Sequence, residues 1–234
     1  MNIDGLLAPQ RYVDWVNSHL GFNPRSQQNS DALSRFIIDD LCSQSPRLAE
    51  EVENKTLEAR LNRAVRTRVA ERNIDLVFVD PSVSGPLNTV RIAVENKTIM
   101  TAHGKARKNR YGDIIAYSNH IHNHSASTIA GAVLVVNVSP NYRNPDPFAS
   151  ELSRQYPNMA KIVLDTIGIF TSIPLRKGKE EPNDQPEALA VLVIDYDGRG
   201  PATLVTEPPA LQPDHPNHYV SFIKTMANFY EGRF

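Results

Sequence analysis

Residues 74–79 read Ile-Asp-Leu-Val-Phe-Val, and residues 89–97 read Thr-Val-Arg-Ile-Ala-Val-Glu-Asn-Lys. Short runs that are rich in β-branched and aromatic residues are typical of strands. Between them, residues 81–88 contain Pro, Gly, Ser and Asn, which favour turns. The two runs therefore predict an antiparallel β-hairpin near the middle of the chain.

Apolar spacing on both sides of this hairpin predicts the other elements. Before it we expect three helices, the second capped by Ser30 and the third beginning at Pro46, at residues 9–20, 31–42 and 46–71. After it we expect helices at 102–122, 159–170 and 219–230, buried strands at 129–138 and 188–195, and loops at 141–157, 176–187 and 207–216. This order predicts one α/β domain over residues 1–234, with a mixed central sheet flanked by helices. Residues 1–45 would form an N-terminal helical region, and residues 46–234 would form the α/β core.

Composition limits the classes of function. The 234-residue chain has 25 basic and 26 acidic residues, so its net charge of -1 excludes a globally basic nucleic-acid binder but permits a local basic groove. A single cysteine, Cys42, predicts a reducing compartment and is interpreted as a small buried side chain. The N-terminus lacks a signal-peptide pattern, and the longest apolar run is too short to span a bilayer. We therefore expect a cytoplasmic protein without membrane contact.

Ionisable residues interrupt the two central strands. Asp is poorly suited to strand interiors, yet Asp75 lies within an apolar run. Glu95 and Lys97 are two residues apart, so they emerge on the same face of the next strand. Two adjacent carboxylates repel each other unless a cation lies between them, and hard oxygen ligands suit Mg²⁺. The sequence thus predicts a Mg²⁺ site formed by Asp75, Glu95 and the Asn96 carbonyl, with Lys97 assisting an attacking water.

This pattern resembles the PD-(D/E)xK nuclease superfamily, whose motif is an Asp, a variable gap and then Glu/Asp-x-Lys. The matching residues are Asp75, Glu95 and Lys97, although Asn73-Ile74 rather than Pro precedes the Asp. The resemblance covers the stretch from the long predicted helix to the strand at 129–138. It implies that the two acids bind Mg²⁺ and that Lys97 assists hydrolysis of a DNA phosphodiester. It also implies a helical Glu near the metal, for which Glu58 is the candidate and Glu51 the alternative; either is as well explained as an ordinary surface residue.

The chain contains the tripeptide of the motif twice. Glu53-Asn54-Lys55 repeats Glu95-Asn96-Lys97, but it falls in a charged stretch of the predicted long helix with no strand Asp before it. We interpret the first copy as a solvated helix face. Context therefore distinguishes the second copy, for which a simple salt bridge at a strand end is the competing interpretation.

A basic segment follows the second copy directly. We expect its charged side chains to contact the DNA backbone, rather than to form only a solvated helix start: His103, Lys105, Arg107, Lys108 and Arg110. The triplet His120, His122 and His124 suggests a metal site, but only two of the three share a helix face. Polar packing or helix-end capping is the better interpretation of these histidines.

These features together predict a Mg²⁺-dependent DNA endonuclease of restriction or other defence type. We expect double-stranded DNA as the partner, and a homodimer because two active sites cleave a duplex most simply. The alternatives are a non-catalytic DNA-binding module with the same fold, and a structural α/β protein in which residues 75, 95 and 97 form a salt bridge. Loss of cleavage in a Glu95 variant that still binds DNA would distinguish an endonuclease from the first alternative. A Mg²⁺ titration of thermal stability would distinguish a metal site from the second.

Overall fold

The central hairpin lies within a six-stranded sheet whose spatial order is β1-β2-β3-β4-β5-β6. The computed structural model describes residues 8–19, 26–67, 70–83, 90–101, 103–142 and 158–234. The strands are β1 (Glu58–Arg66), β2 (Glu71–Val79), β3 (Val90–Ile99), β4 (Ile129–Asn137), β5 (Ala188–Asp195) and β6 (Thr203–Leu204). β3, β4 and β5 are parallel, whereas β1, β2 and β6 run antiparallel to their neighbours. The predicted mixed sheet is thereby confirmed.

Helices cover both faces of the sheet. They are α1 (Ala8–Ser18), α2 (Gln27–Gln44), α3 (Pro46–Glu53), α4 (His103–His124), α5 (Met159–Thr171) and α6 (Tyr219–Arg233). One face packs against α1, α2, α3 and α6 around side chains such as Leu76, Val133 and Phe222. The other face packs against α4 and α5. The N-terminal helical region and the α/β fold class are therefore as predicted. No helix within the described ranges is long and apolar enough to cross a membrane.

Most predicted elements lie within a few residues of their expected bounds. α2 begins earlier than expected, because Ser26 rather than Ser30 is the N-cap and accepts a hydrogen bond from the Asn29 amide. The predicted loops at 81–88 and 141–157 lie mostly outside the described residues. Cys42 is half-buried in α2, and burial followed by the nearby Asp39 charge raises the pKa of its thiol to about 11.

The prediction of one helix over residues 46–71 is wrong. α3 ends at Glu53, Asn54 is its C-cap, and Lys55 adopts a left-handed conformation with φ 61°. The chain then enters β1, the edge strand of the sheet. Apolar residues at 57, 61 and 65 suggested a helix. Residues four apart also lie on the same face of a strand, because strand side chains alternate every two residues, so this spacing fits both structures.

A kink in the β1–β2 ribbon shapes the region that follows. Leu61 pairs with Leu76 and Arg63 with Ile74, but Asn62 lies between them with φ 46°. Leu76 packs on the α2 side of the sheet, whereas Ile74, two residues earlier, packs against Tyr117 and α4 on the other side. A regular strand keeps residues two apart on one face, so the ribbon changes face at Asn62 and Asp75.

Candidate functional site

Asp75 lies where β2 separates from β3. The described ladder between these strands runs from Val79 to Leu76, which pairs with Val94, and stops one residue short of Asp75. The Asp75 carboxylate takes over the role of a backbone acceptor there, because its Oδ2 accepts a hydrogen bond of 2.8 Å from the Asn96 amide. The kink thus opens a gap between two adjacent strands and fixes a carboxylate at its edge.

Glu95 is the most deeply buried acid of this region, with a side chain only 3% exposed. Its Oε1 accepts hydrogen bonds from Lys97 Nζ at 2.5 Å and from Arg72 Nη2 at 2.9 Å. Its Oε2 is buried and has no hydrogen-bond partner among the described residues. An unpaired buried carboxylate oxygen is costly, so this atom is available to an additional cationic or hydrogen-bonding group.

The Lys97 ammonium faces all three groups that the sequence predicted as metal ligands. Its Nζ lies 2.5 Å from Glu95 Oε1, 3.3 Å from the Asn96 carbonyl oxygen and 4.0 Å from Asp75 Oδ2. Lys97 is 17% exposed and Asp75 15% exposed, so the cluster is partly open to solvent. The predicted residues Asp75, Glu95, Asn96 and Lys97 are therefore brought together around one positive charge.

A cleft of about 170 Å³ opens beside this cluster. Its lining combines Asp75, Asn96 and Lys97 with Ser26 and Ser30 from the start of α2 and with Arg110 from α4. The Asn96 side chain belongs to the wall rather than to the centre, since its amide donates to the Ser30 carbonyl at 3.3 Å and to Ser34 Oγ at 2.8 Å. These bonds hold α2 against the strand that carries Glu95 and Lys97.

Neither candidate glutamate for a third acidic group joins the cluster. Glu58 begins β1 rather than lying on a helix, pairs with Val79 across the ladder, and forms an ion pair of 2.6 Å with Arg60. Glu51 forms an ion pair of 2.5 Å with Arg91 and accepts a hydrogen bond from the Tyr230 hydroxyl. The prediction of Glu58 as a catalytic residue fails because the helix that was to carry it ends at Glu53.

The basic segment divides into buried and exposed residues. His103 is fully buried at the start of α4, where its Nε2 lies 2.8 Å from the Asn137 carbonyl oxygen, and burial lowers its pKa. The expected DNA contact by His103 is therefore wrong, because its ring is used inside the protein. Lys105 and Lys108 are exposed, and neither has an acidic partner within 4.0 Å in the described parts of the chain.

The two arginines of the segment have acidic neighbours. Arg107 lies 3.9 Å from Asp165, and Arg110 forms an ion pair of 2.6 Å with Asp113 while lining the cleft. Both remain partly exposed at 23% and 33%, so these pairs are weak and can exchange with phosphate. The contact of Lys105, Arg107, Lys108 and Arg110 with DNA stays a prediction.

The histidine triplet is used for polar packing, as expected. His120 Nε2 lies 2.9 Å from the Val65 carbonyl oxygen, and His124 Nδ1 lies 2.8 Å from that of Arg66. His122 contacts Glu187 at 3.0 Å on the other side of α4. His120 and His124 thus fasten the bent end of β1 to α4.

Arg72 is the residue of this site that the sequence did not predict. It lies in β2, bonds Glu95, and places its guanidinium carbon 6.0 Å from the centre of the Tyr117 ring. The helical interpretation of residues 46–71 counted Arg72 among the arginines that recur along that helix, and it gave Arg72 no defined neighbour. The pairing of Arg72 with Glu95 depends on the kink, and no local sequence pattern predicts that kink.

The donors fit a hard divalent cation. Two carboxylates and a backbone carbonyl are the ligand types that Mg²⁺ takes, usually together with water, and the Glu95 carboxylate has one buried oxygen with no partner among the described residues. They include only two acidic residues, and no group of three or more His, Cys, Asp or Glu side chains suited to a metal occurs within the described ranges. Any further ligands at these donors would come from water or from substrate oxygens.

Comparisons with protein families, curated proteins and solved structures find no match to this chain.

Proposed function

We propose that this protein is a Mg²⁺-dependent DNA endonuclease that hydrolyses phosphodiester bonds at the cluster of Asp75, Glu95 and Lys97. One observation carries the proposal. Two carboxylates and an ammonium meet at a gap between adjacent strands, beside a solvent-accessible cleft, and one buried carboxylate oxygen has no partner in the described part of the chain. Charged and polar groups that converge beside a cleft are typical of binding and catalytic sites.

Asp75, Glu95 and the Asn96 carbonyl would hold the cation. When bound, Mg²⁺ supplies a Lewis acid that stabilises negative charge on phosphoryl oxygens and lowers the pKa of water. Asp75 is held in place by the Asn96 amide, so its free oxygen has a fixed direction. Fixed ligands matter because catalytic groups that are already oriented need no reorganisation during the reaction.

Lys97 would act on the water and on the phosphate. Its ammonium is held by Glu95 and the Asn96 carbonyl, so it is oriented before substrate arrives. In the reaction the attacking water loses one proton to solvent as its oxygen bonds to phosphorus, one ester P–O bond breaks, and the departing oxygen takes up a proton and leaves as an alcohol. The exposed bases Lys105 and Lys108 of α4, with Arg107 and Arg110, would hold flanking phosphates. A two-fold dimer that cuts both strands stays a prediction by analogy.

The first experiment is cleavage of plasmid DNA in Mg²⁺, followed by sequencing of the ends. We expect nicked or linear products from the wild type, and a rate lower by about 10²-fold or more in Asp75→Asn and Glu95→Gln, because each removes a charged ligand. The chain supplies a matched control, since Glu53 is the exposed counterpart of Glu95 in the first copy of the tripeptide. Glu53→Gln should cleave at the wild-type rate.

A wild type that cleaves no DNA with any divalent cation would contradict the proposal. Urea unfolding of each variant shows whether a lost activity reflects lost folding. Asp75→Asn is the safer of the two variants, since Asp75 has one ion-pair neighbour at 4.0 Å whereas Glu95 contacts two cations.

A structural role for the cluster is the second candidate, because Lys97 and Arg72 already bond Glu95 directly. A closed salt bridge has no use for a further cation, whereas a metal site gains stability by mass action, about 1.4 kcal/mol at ten times the dissociation constant. Thermal unfolding at increasing Mg²⁺ and Ca²⁺ separates the two functions. A melting temperature that does not rise in the wild type would favour the structural role.

A further inference from the structure

Two cations meet on one oxygen of Glu95. Lys97 Nζ and Arg72 Nη2 lie 2.5 and 2.9 Å from Glu95 Oε1, and the acid itself is 3% exposed. Lys97 belongs to the predicted motif, whereas Arg72 comes from the bent part of β2 and is 28% exposed. A buried acid with one positive neighbour would already be compensated, so the second cation at the same atom calls for a separate explanation.

Local charge shows what the second cation does. Asp75 and Glu95 carry two negative charges, and Lys97 and Arg72 carry two positive charges, so the cluster is balanced without a metal. A divalent cation at the same acids would leave two positive charges in excess. A DNA phosphate brings one negative charge back, and a guanidinium binds phosphate well through its planar set of donors.

Arg72 is also placed so that it can exchange partners. The face of Tyr117 lies beneath its guanidinium, with 6.0 Å between the guanidinium carbon and the ring centre, and Tyr117 itself is fully buried. A ring face supports a cation without using its N–H donors, so those donors stay available to an anion. The partial exposure of Arg72 lets a ligand reach it from solvent.

We propose that Arg72 couples metal binding to DNA binding: it neutralises Glu95 when the site is empty, and it moves to the phosphate of the DNA when a divalent cation takes Glu95. This inference rests on the proposed function, and it adds Arg72 as a substrate-binding residue. Free enzyme would bind metal weakly, and DNA and metal would each raise the affinity for the other, as thermodynamic linkage requires.

The experiment measures Ca²⁺ affinity by calorimetry, with and without a DNA duplex that carries a mapped cleavage site. Wild type should bind Ca²⁺ on the order of ten-fold more tightly when the duplex is present. Arg72→Ala removes the competing charge, so without DNA it should bind Ca²⁺ several-fold more tightly than wild type. It should also lose most of the increase in Ca²⁺ affinity that the duplex causes. Its cleavage rate should nevertheless fall by about 10²-fold, and Arg72→Lys, which keeps the charge, should restore part of the coupling.

Arg63→Ala is the matched control. Arg63 lies on the same ribbon, is exposed, and has no acidic partner within 4.0 Å among the residues described, so its loss removes a similar charge without touching Glu95. The Ca²⁺ affinity of this variant, and the increase in that affinity when the duplex is present, should match those of the wild type. Equal changes in both variants would overturn the inference, because they would report general electrostatics rather than the bond to Glu95.

Three further outcomes are distinct from one another. If Arg72→Ala binds Ca²⁺ more weakly than wild type both with and without DNA, Arg72 only holds Glu95 in position and the coupling is refuted. If the wild type neither binds Ca²⁺ nor cleaves DNA, the proposed function itself fails. Cleavage by a wild type whose Ca²⁺ affinity does not respond to DNA would refute the coupling and leave the nuclease proposal standing.

Discussion

Two buried glutamates of this protein differ in how completely they are neutralised. Glu187 accepts hydrogen bonds from His122 at 3.0 Å, from the Ala130 amide at 2.8 Å and from Arg233 at 2.9 Å, with Arg176 at 3.7 Å. Both of its oxygens are used, whereas one oxygen of Glu95 has no partner among the residues that the structure describes. Complete pairing is typical of a structural acid, and the unpaired oxygen of Glu95 is the residue-scale argument for a functional one.

The sequence could not distinguish these two acids. Residues 176–187 were predicted as an exposed charged loop, yet the Arg176 and Glu187 side chains at its ends are fully buried. The partners of Glu187 come from α4, β4 and α6, so its burial follows from contacts between distant segments. Strand propensity around Glu95, in contrast, is local, and for that reason the motif strand could be predicted.

Glu187→Gln should destabilise the fold by about 3–5 kcal/mol at pH 7, because two buried arginines would lose their counter-charge. Burial acts to raise the pKa of Glu187, but the His122 hydrogen bond and the other donors outweigh it and leave the pKa lowered. The stabilisation is therefore complete above the ordinary Glu pKa of about 4.3 and is lost as pH falls through the lower folded pKa. Urea unfolding at pH 7 and at several acidic pH values measures the difference in unfolding free energy between wild type and variant. This difference should become smaller below that range, and a difference that grows in acid would contradict this assignment.

At the scale of elements, the β1–β2 ribbon contains the strand that was wrongly predicted as a helix. It also contains the bend that opens the site. Ala, Arg, Leu and Glu favour helices, and residues 58–66 are rich in them, yet the segment forms the edge strand of the sheet. Pairing with β2 overrides that preference. The strand then bends at Asn62, and the bend separates Asp75 from Glu95 enough to open the cluster. Neither the strand nor the bend follows from local propensity.

Position 62 tests whether the bend maintains the site. Asn tolerates the left-handed region better than other non-glycine residues, and a β-branched side chain does not. Asn62→Gly should keep both stability and Ca²⁺ binding, while Asn62→Val should lose about 1–2 kcal/mol of unfolding free energy and bind Ca²⁺ more weakly. Ala64→Val is the control, since Ala64 is exposed two residues further along the same strand. Equal losses in Asn62→Val and Ala64→Val would show that the bend is not required.

For the whole molecule, the order of elements was sufficient to predict a mixed sheet between two helical layers. Alternating helices and apolar strands after residue 102 leave few other arrangements, and the parallel strands β3, β4 and β5 are buried on both faces. How closely the layers approach was not visible in the sequence. A Cβ at Gly131 in β4 would lie 2.8 Å from Met226 Cε and 2.9 Å from Phe222 Cε2 of α6.

Gly131→Ala should therefore cost about 1–3 kcal/mol, because α6 must shift or its side chains must leave their rotamers. Gly131→Ala should cost less in a Met226→Ala background than in the wild type, since the two residues share one space. Gly112→Ala is the contrasting change: in the middle of α4 its Cβ meets no described residue within 4 Å, so it should stabilise by about 0.5–1 kcal/mol. Urea unfolding measures these variants, and an undisturbed Gly131→Ala would contradict this description of the interface.

The edge position of β1 has a consequence for self-association. Exposed sheet edges can recruit strands from other molecules, and natural proteins discourage this with charged side chains and irregular strands. β1 carries the exposed Arg63 and Arg66 and bends at Asn62. A second copy that approached this edge would meet like charges on a curved ribbon, so extension of the sheet from one molecule to the next is disfavoured. A two-fold dimer would then have to form through another surface, and the bend that opens the site would also protect the protein from aggregation.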